Sequence, residues 1–126
     1  MANKSKSQNN PQTKTLVSAI IQGMQNKKAY DITVLDLQNI PNAVANYFIL
    51  CSGQATTQVG AIAEGVLEKS YQEVGQRPWH QEGVTNKEWI LLDYADVVVH
   101  IFQAEKRVFY DLENFWGDAG ISRIVT

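Results

Sequence analysis

Tyr47 to Gly53 reads Y-F-I-L-C-S-G, and the first five of these positions are apolar without interruption. A short apolar run closed by Ser-Gly describes a strand covered on both faces, as in a sheet with packed layers on either side. Such a strand is central, and the expected class is α/β: a mixed sheet of about four to five strands with helices packed on it.

The flanking sequence supplies the other elements. Upstream, Ile32 to Leu37 is roughly alternating and ends in a loop from Gln38 to Asn42 that contains Pro41, which gives a first strand. Before it, Leu16, Val17, Ile20, Ile21 and Met24 recur at helical spacing and predict an amphipathic helix that frays at Asn26. Downstream, Val59, Ile62, Ala63, Val66, Leu67 and Ser70 predict a long helix reaching Val74, with Gly75 as its stop. A loop bearing Pro78, Trp79, His80 and Gly83 follows. Trp89–Asp93 and Val97–Phe102 then read as an antiparallel hairpin about a short turn at Ala95 and Asp96. Val108, Phe109, Leu112, Phe115 and Trp116 share one stripe of a last helix that Gly117 ends.

A chain of 126 residues with 44% hydrophobic side chains fits one compact core. Residues 1–15 hold almost nothing to bury and are expected to form a disordered polar tail. The single domain is expected over residues 16–118, with 119–126 as a C-terminal tail. The formal charge of -2 conceals an asymmetry, because Lys4, Lys6 and Lys14 sit in the tail and the rest carries about -5. A body of that sign is repelled by bare phosphate, so a basic protein partner suits it better than sequence-specific nucleic acid. The lone Cys51 cannot close an internal disulfide, and with only His80 and His100 it gives no zinc spacing. No apolar run approaches a membrane span, and no secretory signal is recognisable. The expected compartment is the cytoplasm, or an organelle of bacterial descent, with no cofactor and no metal.

Three constellations could carry chemistry. Ser52-Gly53 lies between a strand and a helix, where backbone N–H groups could hold a phosphate, but further glycines and a Gly-Lys-Ser/Thr run are missing. No Asp-x-Asp or Glu-x-Asp pair exists to hold two metals. Cys51 and Ser52 lack a neighbouring base, and His100, inside an apolar strand, reads as a hydrogen-bonded core imidazole. The acids of the C-terminal half are mostly explained locally, Asp96 by its turn and Glu105 by a helix start. Asp93 is the exception. Alternation puts Trp89, Leu91 and Asp93 on one face, with Ile90, Leu92 and Tyr94 on the other. A carboxylate in a dry core needs a partner, so the first face either reaches solvent as a protein-binding patch or is covered by the last helix. Periodicity leaves both open.

The segments D-I-T-V-L-D-L (Asp31 to Leu37), N-Y-F-I-L-C-S-G (Asn46 to Gly53), Q-V-G-A-I-A-E-G-V (Gln58 to Val66), W-I-L-L-D-Y-A-D-V-V-V-H-I-F (Trp89 to Phe102) and R-V-F-Y-D-L-E-N-F-W (Arg107 to Trp116) resemble, in order, the ribosomal silencing factor family, also called iojap-like proteins. The resemblance implies a topology like that of nucleotidyltransferases without their catalytic acids. It also implies a non-enzymatic translation repressor. Such a protein binds the large ribosomal subunit through ribosomal protein number fourteen and sterically blocks joining of the small subunit when nutrients are short. It further implies that Trp89 is the apolar anchor, Leu91 its neighbour and Asp93 the charged partner, with Tyr94 and Asp96 adjoining, and it favours exposure of that face. Relatives often form homodimers. Asn46 stands where many relatives have Asp, and Ala55 where Ser is frequent, which weakens any role for polar groups at the Ser-Gly turn. The competing reading is a nucleotide-binding or nucleotidyl-transfer enzyme using that turn.

Overall fold

The computed structural model describes residues 11–110 and 120–124. Its elements are α1 (Pro11–Asn26), β1 (Tyr30–Asp36), β2 (Tyr47–Gly53), α2 (Thr56–Val74), β3 (His80–Glu82), β4 (Trp89–Asp93), β5 (Val97–Gln103), α3 (Ala104–Tyr110) and β6 (Gly120–Arg123). Six strands form one sheet in the order β3-β4-β5-β2-β1-β6, with β2 and β5 parallel and every other pair antiparallel. The two strands buried nearly throughout, β2 and β5, are the two at the middle. Continuous apolarity marks central position here as expected.

The sheet has two unlike faces. On one, Leu16, Ile20 and Met24 of α1 and Val59, Ile62 and Val66 of α2 pack against Ile49, Cys51, Ile90, Leu92, Val99 and Ile101. The other face gathers Leu35, Phe48, Leu50, Val98 and Phe102 under Leu37, Ala43 and Ala45 of the β1–β2 connection, with Trp89 and Leu91 packed at its margin. Helix α2 ends where Gly75 takes the left-handed conformation at φ 66° and bonds back to the last turn, the expected stop. Helix α3 is tied to the sheet by Arg107, a buried guanidinium that donates to Ser52 Oγ at 3.1 Å, Thr33 Oγ1 at 3.0 Å and the Asp31 carbonyl.

Three boundaries differ from expectation. Helix α1 starts at Pro11, not near Leu16, so residues 11–15 are not tail. Proline is pre-organised for a first helical turn, and Thr13, at 4% exposure, donates to Asp96 Oδ2 at 3.2 Å. Strand β3 lies inside the expected loop. Strand β6 lies beyond the expected domain end at Asp118 and pairs with β1. These two raise the strand count to six; both are edge strands exposed at every position, so neither shows alternation. Of the last helix, the backbone to Tyr110 is described, while Leu112, Phe115, Trp116 and Gly117 lie outside the described residues.

Candidate docking face

Strand β4 buries Ile90 and Leu92 against the helical side and leaves Trp89, Leu91 and Asp93 half-buried on the opposite face. Register fixes their neighbours: Trp89 stands opposite Phe102, Leu91 opposite His100 and Asp93 opposite Val98 on β5. On the outer side, Glu82 stands opposite Leu91 and His80 opposite Asp93, both exposed, with His80 Nε2 2.8 Å from Glu82 Oε2. Opposed residues of an antiparallel pair point to the same side, so the patch is an indole and a leucine bordered by two carboxylates.

The indole is held rather than loose. It stacks on Phe102 with ring centroids 5.2 Å apart, and its Nε1–H donates to His100 Nδ1 at 3.1 Å. Its half-burial lies between full exposure and full cover, and the reading in which the last helix covers it falls on residues outside the described ones. Trp89 packs at the margin of the second cluster and keeps part of its surface in solvent.

Because His100 Nδ1 accepts, its proton sits on Nε2, and that buried nitrogen has no hydrogen-bond partner among the described residues. Burial pushes the imidazole down to about 3, with Asp93 pulling weakly the other way; Phe48 and Leu50 on the β2 side carry no charge. The unfolded imidazole titrates near 6.5, so between the two values the unfolded chain binds a proton that the native one does not. Stability from this group is therefore complete above about pH 6.5 and falls as pH drops toward 3. From pH 7 to pH 5 the wild-type chain should lose about 2 kcal/mol more than His100→Phe, in which the carboxylates titrate alike. Urea unfolding at both pH values reads the difference, and equal losses would show that His100 takes up its proton in the folded state as readily as in the unfolded one.

The other two expected contact residues face elsewhere. Tyr94 is 6% exposed, and its hydroxyl lies 2.8 Å from Ser70 Oγ on α2, so it is not available to a surface partner. Asp96 serves the turn: its carboxylate accepts from Thr13 and its carbonyl from the N–H groups of Asn46 and Tyr47. Asp93 is shared, since Oδ1 accepts the Ala95 N–H at 2.8 Å and so steadies a turn whose Ala95 has φ 77°. Sequence reading missed His80, Glu82 and His100 as neighbours of the patch, and also Trp79. The last is 63% exposed, its backbone N–H donates to the Asp93 carbonyl, and its ring lies 5.4 Å from that of His80. The dipeptide Trp79-His80 after Pro78 was the available signal.

At the Ser-Gly turn the chain fills its own space. Ser52 is buried with its hydroxyl accepting from Arg107, and the Gln54 N–H donates to Gln58 Oε1. A side-chain carbon at Gly53 would meet Ile62 and Val59. Burial pushes the Cys51 thiol up, away from the thiolate a nucleophile needs. Among the described residues no group of three His, Cys, Asp or Glu side chains could hold a metal, and no helix is long and apolar enough to cross a membrane.

Residues 10–125 match the family model described as ribosomal silencing factor during starvation. The ribosomal silencing factor RsfS of Bacillus subtilis (strain 168) is 37% identical over 109 residues, spanning 86% of this chain and 91% of that one. The chloroplastic protein Iojap of Zea mays is 36% identical over 96 residues, 73% of this chain and 39% of its own length. A crystal structure of a Chromobacterium violaceum protein superposes with a TM-score of 0.76 at 31% identity, covering 90% of this chain and 92% of that one. The match takes in β6 and all of α1, which the quoted segments did not reach, and with it the chain belongs to the ribosomal silencing factor family.

Proposed function

We propose that this protein binds the large ribosomal subunit through Trp89, Leu91 and Asp93, with ribosomal protein number fourteen as the partner, and so keeps the small subunit from joining. The observation that carries the reading is the half-buried Trp89–Leu91 pair on the sheet face away from α1 and α2, bordered by Asp93 and Glu82. An apolar anchor rimmed by charge is the usual composition of a protein-binding hot spot, and the acids complement a basic ribosomal protein. Repression by this route is steric and needs no bond to be made or broken. The protein would act in the cytoplasm, where its ribosomes are.

Purified subunits test it. When large subunits are preincubated with the protein and then mixed with small ones, sedimentation should show the protein in the large-subunit peak and fewer joined ribosomes. Undiminished joining with no protein in that peak would overturn the reading. No observation favours the nucleotide enzyme, because the turn it would use is filled by Arg107, Gln58 and Val59.

A further inference from the structure

His100 is the one residue of β5 whose side chain combines near-complete burial with an unmet polar atom: it is 4% exposed and its Nε2–H lacks a partner among the described residues. A buried donor left unpaired is unfavourable, and a phenyl ring would fill the same space without it. What the imidazole adds is the acceptor at Nδ1, and that acceptor is taken by the Trp89 indole. The imidazole is itself wedged, its ring 4.8 Å from Phe48 and nearly parallel to Phe102 at 6.2 Å. The backbone beneath the indole is equally confined. Gly83 lies so close, at φ 80°, that a side-chain carbon there would fall 1.9 Å from the Trp89 carbonyl oxygen.

We infer that His100 is a positioning residue for docking: its Nδ1 holds the Trp89 indole in one orientation in the free protein, so that the anchor meets the ribosome already set. This rests on the docking role of Trp89 and adds a residue that never touches the partner. The imidazole stays neutral through the physiological range, so the acceptor is always present. An indole released from it must be ordered at binding. Immobilising one such side chain accounts for roughly a 3- to 10-fold difference in affinity.

Two substitutions separate the acceptor from the ring. His100→Phe keeps the ring and removes the acceptor; His100→Asn removes the ring and places an amide oxygen near the position of Nδ1. The Trp89 indole N–H resonance, assigned by its loss in Trp89→Phe, reports the hydrogen bond directly through hydrogen exchange. In His100→Phe exchange should accelerate by roughly 10-fold or more, and affinity for isolated large subunits should fall roughly 3- to 10-fold. His100→Asn should keep the indole protected and bind more tightly than His100→Phe. Indole exchange unchanged in a folded His100→Phe protein, or affinity equal to wild type despite faster exchange, would overturn the inference. If instead Trp89→Ala binds as wild type, it is the docking reading that fails, and indole exchange still shows whether His100 holds the ring.

Discussion

Trp89→Ala is expected to weaken binding to large ribosomal subunits by about 2–4 kcal/mol, roughly 30- to 1000-fold, while leaving the domain folded. The substitution removes the apolar anchor of the proposed interface. It also has a separate effect on stability, because among the described residues Phe102 loses a stacked ring and the second nitrogen of His100 loses its donor. That part should amount to about 1–3 kcal/mol. It is small beside the strand's main anchorage, since Ile90 and Leu92 remain buried beneath the helices. Trp89→Phe distinguishes the two effects. It keeps an aromatic surface for the partner and deletes the N–H, so it should bind far better than Trp89→Ala while sharing the unpaired His100. Co-sedimentation at protein concentrations spanning three decades, alongside urea unfolding of each variant, measures both quantities. An alanine variant that stays folded and binds as wild type would remove Trp89 from the interface.

Much of this face was legible because strand alternation has a period of two. Trp89, Leu91 and Asp93 do share a side of β4, and Ile90, Leu92 and Tyr94 do turn to the helices. Sequence adjacency was the weaker guide. Tyr94 follows Asp93 directly, yet the next position points the other way, and the left-handed Ala95 swings Asp96 toward Thr13. What no local pattern could supply was register. The Trp89–His100 bond joins residues eleven apart across two strands, and a slip of one residue would put His100 on the helical face.

The same division runs through the fold. The central strands and α2 were legible from runs of apolar residues whose burial needs no particular partner. Strands β3 and β6 were not, because edge strands with exposed side chains exist by pairing with β4 and β1 and carry no pattern of their own. The first turn of α1 is a similar case. Gln12 and Thr13 look like linker, and Thr13 becomes buried only because the β4–β5 turn brings Asp96 to it.

The helical layer depends on two glycines that no amphipathic pattern singles out. A side-chain carbon at Gly23 of α1 would lie 2.6 Å from the Gly65 carbonyl oxygen and 2.8 Å from Val66 Cα; one at Gly65 of α2 would lie 2.8 Å from the Gly23 carbonyl oxygen. The helices therefore touch backbone to backbone, and at Gly23 the obstacles are main-chain atoms that no rotamer change can clear. Glycine to alanine inside a helix ordinarily stabilises by about 1 kcal/mol, and Gly60→Ala, facing only the flexible Lys87 side chain, should show that gain. At Gly23 the sign should reverse. Separating α1 from α2 loosens Ile20 and Met24 from Ile62 and Val66, and overpacking of this kind costs about 3 kcal/mol at the upper end of its usual range, which against the helix gain leaves a net loss of about 2 kcal/mol. For a domain of this size that lowers Tm by about 7 °C. The contact lies on the face away from Trp89, so Gly23→Ala protein that remains folded at low temperature should still bind large subunits as wild type. Calorimetry of Gly23→Ala beside Gly60→Ala gives the test, and equal shifts of the two would mean that the helices do not meet at Gly23.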